Sequence, residues 1–252
     1  MELVRTIIFG LIGVAVGSFL NVCIDRLPAG KSLLRPPSHC DGCQRRLFFM
    51  DLIPAASYLW LRGRCRYCHA PIPSRVLWVE AGSGLAFGLL HWHYGLSPEF
   101  AITAFYFCVF LTLTLIDLEH KLILNKITYP VAVIALILNI FLFEPGIVNS
   151  VIGGAVGFVF LTIPALIYRR GMGWGDVKMA ALVGLAVGFP LVLVSLIMAI
   201  IAGGVVAVFL VLLKIKGRKE GIPFGPFLAL GAMATLLWGE YILDWYLSFF
   251  RI

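Results

Sequence analysis

Gly171-Met172-Gly173-Trp174-Gly175-Asp176 is a glycine-rich turn that ends in a carboxylate and lies between two apolar runs, residues 148–168 and 177–188. Asp176 therefore lies at the edge of a hydrophobic phase, where an ionisable side chain is costly and is by default a functional group. The glycines on both sides of the tryptophan allow φ > 0 and let another segment of the chain approach closely. We therefore take this turn as the first candidate for a functional site.

A second carboxylate, Asp117, directly follows another apolar run, residues 100–116. Two aspartates at the ends of apolar helices can form an acid–base pair if the fold brings them together. The alternative is that Asp117 is a polar stop at the end of a span and that Asp176 caps a helix. The later Pro223-Phe224-Gly225-Pro226 is either a simple loop end or a re-entrant turn that faces the site.

The composition is that of a membrane protein. Of the 252 residues, 61% are hydrophobic and only 13% are charged, which excludes a water-soluble globular surface and predicts a polytopic helical membrane protein. The net charge of +7 is also compatible with a protein that binds nucleic acid. Orientation in a membrane explains the basic residues more simply, so we predict no nucleic-acid partner and take the lipid bilayer as the surroundings of the chain.

Eight apolar runs predict an all-α fold with about eight transmembrane helices, since one span takes roughly 20 residues. The runs are residues 4–24, 76–92, 100–116, 127–143, 148–168, 177–188, 191–213 and 227–247. No small-x-small cleavage pattern follows the first run, so we predict that it is retained as a span.

The basic residues predict the orientation of these spans. If the loop of residues 25–75 is cytoplasmic, every lysine and arginine except Arg5 and Arg251 falls on the cytoplasmic side. This is the asymmetry that the positive-inside rule predicts. Asp117 and Asp176 then both lie at cytoplasmic helix ends, at similar depth. They meet only if the third and sixth spans pack together, which the spacing alone does not determine.

The loop carries Cys40-Asp41-Gly42-Cys43 and Cys65-Arg66-Tyr67-Cys68. Paired Cys-x-x-Cys motifs at this separation are typical of tetrahedral zinc coordination, and a closed site of four sulfurs indicates a structural metal. Two disulfides are the alternative, which a reducing cytosol disfavours. His39 and His69 flank the motifs and are possible replacements for a cysteine. We predict three parts: a first transmembrane helix (1–24), a cytosolic zinc module (25–75) and a seven-helix domain with both aspartates (76–252).

Three motifs together resemble one known family. Gly173-Trp174-Gly175-Asp176 is similar to the Gly-x-Gly-Asp motif of intramembrane-type aspartyl proteases. Ile116-Asp117-Leu118-Glu119-His120, followed by Ile123-Leu124-Asn125, resembles the first-aspartate motif of bacterial prepilin peptidases, in which a proline is common where Leu124 stands. Gly17-Ser18-Phe19-Leu20-Asn21-Val22 with Arg26-Leu27-Pro28 resembles the N-terminal motif of that family. The four cysteines match the loop of its zinc-containing members.

The resemblance implies a bifunctional enzyme of the bacterial inner membrane with its active site facing the cytoplasm. Such enzymes cleave the basic leader of type IV prepilins and pseudopilins after a glycine, and then methylate the new N-terminal residue with S-adenosylmethionine. By matching position, Asp117 and Asp176 would be the catalytic pair. The alternatives are a presenilin-like or signal-peptide-peptidase-like protease without methyltransferase activity, a proton-relaying transporter and a non-catalytic zinc scaffold.

Overall fold

The computed structural model describes residues 1–141, 145–167, 173–215 and 221–249. In these ranges the chain forms nine α-helices and one 3₁₀ turn, Phe49–Leu52. The helices are α1 (Glu2–Arg26), α2 (Ala56–Trp60), α3 (Ser74–Tyr94), α4 (Pro98–His120), α5 (Asn125–Phe141), α6 (Gly146–Ile167), α7 (Trp174–Val187), α8 (Leu191–Leu212) and α9 (Gly225–Ser248). The described residues contain no β-strand, so the all-α prediction is confirmed for them.

Among the described residues, five helices are long and apolar enough to cross a membrane, namely α1, α4, α6, α8 and α9. The described residues of the other three apolar runs lie in α3, α5 and α7, apart from Gly188 just past α7, but α5 has 17 residues, α7 has 14, and α3 contains charged side chains. The chain is therefore a multi-pass membrane protein, and the count of eight spans stays a prediction. Residues 142–144 and 168, at the ends of two predicted runs, lie outside the described ranges.

The contacts divide the chain into two units, Met1–Cys108 and Val109–Ile252. In the first unit, α1 and α3 pack closely along their length because glycines of α1 leave room for α3. A Cβ on Gly13 would lie 2.5 Å from the backbone oxygen of Ser83, and one on Gly17 would lie 2.9 Å from the Cα of Glu80. Near the end of α1, the amide of Asn21 donates to the backbone oxygen of Val76 at 3.1 Å.

In the second unit, α7 packs against α5, α6, α8 and α9. Close approach to α6 depends on small residues, since a Cβ on Gly153 or Gly184 would overlap the backbone of the other helix. At the far end of α7, the backbone oxygen of Leu185 accepts hydrogen bonds from Asn139 and Ser150, at 2.9 Å and 2.7 Å. These contacts hold α7, which carries Asp176 at its other end, inside the unit.

Candidate active site and candidate metal centre

Asp117 lies in the last turn of α4 and is buried, with 5% of its surface exposed. The backbone N–H of Lys121, which has a φ of 54°, donates to the backbone oxygen of Asp117 at 2.8 Å and closes the helix. The carboxylate Oδ2 of Asp117 accepts a hydrogen bond from the backbone N–H of Gly225 at 3.0 Å. The first residue of α9 therefore holds the carboxylate of Asp117 in place.

Asp176 is the third residue of α7 and is half-buried. Its Oδ2 accepts a hydrogen bond from the backbone N–H of Gly173 at 3.3 Å, so the side chain turns back over the start of its own helix. A carboxylate at this position is favoured because the first N–H groups of a helix lack partners within the helix. Gly171 and Met172 of the predicted turn lie outside the described residues.

The two aspartate motifs pack on each other. A Cβ on Gly175 would lie 2.9 Å from the Cβ of Ile123, so the glycine allows the segment after Asp117 to lie directly on the turn before Asp176. The Nζ of Lys178 donates to Oδ1 of Asn125 at 2.9 Å. Asp117 is also close enough to Asp176 for the two carboxyl groups to interact electrostatically.

Sequence reasoning left two features of this site undecided or unnoticed. The sequence of residues 223–226 is compatible with either a simple loop end or a turn that faces the site. The hydrogen bond from Gly225 to Asp117 shows that the turn lies at the site. No sequence pattern predicts the contact between Lys178 and Asn125, which are polar residues near the starts of two different helices, α7 and α5. Both features join residues that are distant in the chain.

The four cysteines of the loop form one cluster. The sulfur atoms of Cys40, Cys43, Cys65 and Cys68 all lie within 4.8 Å of one another, and those of Cys40 and Cys68 are 3.7 Å apart. Four sulfurs at about 2.3 Å from a tetrahedral zinc ion are about 3.8 Å apart, so the cluster has the size that such an ion needs. All four residues are free cysteines, which does not fit the disulfide alternative.

The cluster is built from two copies of the same turn. The N–H groups of Cys40 and Cys65 donate to the backbone oxygens of Arg45 and Ala70, at 3.0 Å and 2.9 Å. The residue after each second cysteine has positive φ, 56° at Gln44 and 57° at His69. Isolated antiparallel bridges close the two turns, between His39 and Arg46 and between Arg64 and Pro71. Each turn presents two sulfurs to the same side, and the two turns together supply four.

The electrostatics of the sulfurs also fit a bound cation. Backbone N–H groups of Cys68 and Tyr67 lower the pKa of Cys65 to about 7. The N–H of Ala70 favours the thiolate of Cys68 as well, but burial and the three neighbouring sulfurs outweigh it and raise the pKa of Cys68 to about 12. A divalent cation offsets the mutual repulsion of four thiolates, so the residues present fit a metal.

An ion pair supports the second turn from outside. Oδ1 of Asp51 accepts from Nε of Arg66 at 2.6 Å, and Oδ2 accepts from the hydroxyl of Tyr67 at 3.3 Å. Burial of Asp51 opposes its charge, but the hydrogen bonds from Arg66 and from the N–H of Phe48 outweigh burial and hold the pKa of Asp51 below its usual range. The 3₁₀ turn is thereby joined to the cysteine cluster.

Replacing one cysteine of the cluster should remove the metal. We expect Cys43→Ser and Cys68→Ser to reduce bound zinc from about one ion per chain to nearly none, because a site of three sulfurs no longer closes the tetrahedron. Elemental analysis of the purified protein measures this ratio. Cys108→Ser is the matched control, since Cys108 lies in α4 away from the cluster and should leave the metal bound. Full zinc content in either cluster variant would place the metal elsewhere.

The fold and the paired aspartates define a multi-pass membrane protein with a carboxylate site. Two family models match the chain: the bacterial peptidase A24 N-terminal domain over residues 11–94 and the type IV leader peptidase family over residues 104–208. The chain belongs to the type IV leader peptidase family. No solved structure is significantly similar to it.

Several curated relatives match almost the whole chain. A prepilin leader peptidase/N-methyltransferase of Stutzerimonas stutzeri is 30% identical, over 96% of this chain and 93% of the relative. The protein of the same name from Pseudomonas aeruginosa is 30% identical over 95% and 92%. That from Aeromonas hydrophila is 31% identical over 95% and 93%.

Proposed function

We propose that this protein is a bifunctional membrane enzyme that removes the leader peptide of type IV prepilins or pseudopilins and then methylates the new N-terminus. The packing of the Asp117 segment on the Gly-x-Gly-Asp turn is the observation that carries the peptidase assignment. Similarity over more than nine-tenths of the chain to enzymes named for both activities supports the combination.

Asp117 and Asp176 act as the catalytic pair. Two carboxylates close together in a region of low dielectric share one proton, because two bare charges would repel strongly. The ionised member takes a proton from water, and the water oxygen attacks the scissile carbonyl. The protonated member hydrogen-bonds the carbonyl oxygen. As the intermediate collapses, the C–N bond breaks and the amine that becomes the new N-terminus takes a proton.

The second activity transfers a methyl group to that new amine. S-adenosylmethionine would supply the methyl group: the amine loses a proton as the N–C bond forms, the bond between sulfur and the methyl carbon breaks, and S-adenosylhomocysteine leaves. Relatives named as N-methyltransferases support this step. They also favour the prepilin-processing function over an intramembrane protease that lacks methyltransferase activity, since the similarity includes the N-terminal domain with its cysteine loop.

We propose an orientation in the bacterial inner membrane with eight spans and the active site facing the cytoplasm. The distribution of lysine and arginine supports it, because eight spans put all but two of these residues on one side of the membrane, and such an excess is typical of the cytoplasmic side. In this arrangement residues 1–24 form the first span, residues 25–75 a cytosolic module with a structural zinc ion on its four cysteines, and residues 76–252 the seven-helix peptidase domain. The partners are prepilins and lipid, with no role for nucleic acid.

Mass spectrometry of a purified prepilin incubated with the enzyme in detergent tests the proposal. We expect loss of the leader at the bond after its glycine, followed by a gain in mass of one methylene group when S-adenosylmethionine is present. Without S-adenosylmethionine, the leader should still be removed. If the prepilin stays intact, the peptidase assignment is wrong. If cleaved pilin gains no mass, the methyltransferase assignment is wrong.

A further inference from the structure

The cysteine module, residues 25–75, exposes several large apolar side chains to its surroundings. Residues 48–60, which we call the apolar segment, consist of the 3₁₀ turn, a bend at Ala55 and helix α2. Phe49 is 61% exposed and Trp60 is 85% exposed. The other large apolar side chains that this segment exposes are those of Phe48, Met50, Leu52, Ile53 and Leu59. Several exposed large apolar side chains within one short segment indicate an interaction surface.

A hydrogen bond to the buried side chain of Glu80 holds this segment beside helices α3 and α1. The backbone N–H of Ala55 donates to Oε2 of Glu80 at 2.6 Å, and Glu80 is only 4% exposed. Glu80 lies six residues after the start of α3, about 9 Å along the helix axis. It also packs against Gly17 of α1, which is one of the candidate membrane spans. The bend at Ala55 is therefore held next to α3 and close to α1, a candidate membrane span.

The two faces of helix α2 differ: one packs into the cysteine module and the other is exposed. Tyr58 packs into the module, where a Cβ on Gly63 would lie 2.8 Å from its hydroxyl oxygen. The hydroxyl of Tyr58 donates to the backbone oxygen of Ile72 at 3.5 Å. Trp60, two residues later, is almost fully exposed. The short helix thus turns its tryptophan away from the module, and tryptophan is the side chain that membrane–water interfaces favour.

Basic residues accompany the apolar side chains. Arg45, Arg46, Arg62 and Arg64 are exposed on either side of the segment. Arg46 lines a shallow groove of about 460 Å³ together with Phe48, Phe49 and Tyr67. Arginines can lay their apolar stems along such a surface and direct their charged ends to lipid phosphates. A basic surface beside the membrane is attracted to anionic headgroups, and each basic residue adds to the attraction.

We propose that the apolar segment lies in the headgroup region of the adjacent leaflet and holds the cysteine module against the bilayer. The module follows directly on α1, a candidate membrane span, and α3, which follows the module, packs against α1, so the segment continues an existing lipid contact. Its aromatic side chains enter the acyl boundary, and the arginines on either side of it bind anionic headgroups. The inference needs only the membrane location of the chain and does not depend on the catalytic assignment.

Photo-crosslinking of the full chain in vesicles that contain phosphatidylglycerol tests the proposal. The photoreactive residue p-benzoyl-phenylalanine is placed at position 49 or 60, where the exposed side chain leaves the packing unchanged. Position 58, on the inner side of α2, is the matched control. Zinc content and detergent-extracted yield of each variant verify its folding.

We expect irradiation to add the mass of one phospholipid at positions 49 and 60, several times more often than at position 58. The adducts should decrease when phosphatidylcholine replaces phosphatidylglycerol. The proposal is overturned if the folded variants give no lipid adduct at positions 49 and 60. Adducts at those positions only to another protein chain would overturn it as well, because the surface would then be a protein-docking site. Prepilin cleavage is not the readout, so a failure here is distinct from failure of the proposed function.

Discussion

Replacing Asp117 or Asp176 by asparagine is expected to slow prepilin cleavage by about 10³-fold or more, since general acid–base catalysis is lost when either carboxyl group is removed. Asparagine keeps the size of the side chain but cannot exchange a proton. The Gly225 N–H still finds a carbonyl oxygen at position 117, so the local packing survives. The cleavage rate of a purified prepilin, followed by the appearance of the shortened pilin, is the measurement.

The double variant sharpens this test. If the two carboxyl groups work as one unit, removing both should slow cleavage no further than removing one, because either single loss already disables the pair. Asp244→Asn is the matched control: Asp244 is exposed and lies 19 residues beyond the first residue of α9, about 28 Å along the helix. The Asp244→Asn variant should cleave the prepilin at the normal rate. A folded single variant that retained normal cleavage would contradict the paired mechanism and leave both aspartates as structural caps.

Gly225→Ala is expected to reduce cleavage by about 10²-fold, the cost of moving a catalytic group by roughly 1 Å. A Cβ at this position would lie 2.6 Å from Oδ2 of Asp117, which is too close for any real contact. The carboxylate must then shift and lose its hydrogen bond from the backbone. The φ of Gly225 is not in the left-handed region, so alanine brings no backbone strain and the effect acts through Asp117.

The readout must distinguish displacement of Asp117 from general unfolding. Methylation of pilin that has already been cleaved should persist in Gly225→Ala, while the kcat of cleavage falls. Gly204→Ala is the control, since Gly204 lies inside α8 and none of the described atoms lies within 4 Å of its added Cβ. If Gly225→Ala cleaved as fast as Gly204→Ala, the backbone contact would be irrelevant to the position of Asp117.

Local patterns were sufficient to predict the long helices of this fold, but not the 3₁₀ turn or the short α2. The described residues of each of the eight apolar runs lie in one helix or one residue past its end, because apolar composition over about 20 residues makes a backbone satisfy its hydrogen bonds within a helix. The Cys-x-x-Cys spacing predicted the sulfur cluster for a similar reason: two cysteines three residues apart share one tight turn. Gly153 and Gly157 form a GxxxG pattern, which is typical of close helix contact, and both lie against α7 in the structure.

The geometry of the candidate catalytic site was harder to predict from the sequence because it depends on contacts between distant segments. Asp117 and Asp176 are 59 residues apart and Gly225 is farther still, and no local rule relates helix ends that are separated by other spans. The partner of Glu80 shows the same limit. Arg75 is the basic residue nearest to it in the sequence, but the structure pairs Arg75 with Asp25 at 2.6 Å and gives Glu80 the N–H of Ala55.

The sequence by itself predicted which residues would carry the chemistry: two carboxylates at the ends of apolar runs and four thiols in paired motifs. Side-chain type and short spacing decide these properties, and both are written along the chain. Only the tertiary structure decided which groups meet. Gly175 admits Ile123, the start of α9 reaches Asp117, and Glu80 holds the bend at Ala55. Such contacts result from the packing of whole helices, where the absence of one Cβ allows two distant segments to touch.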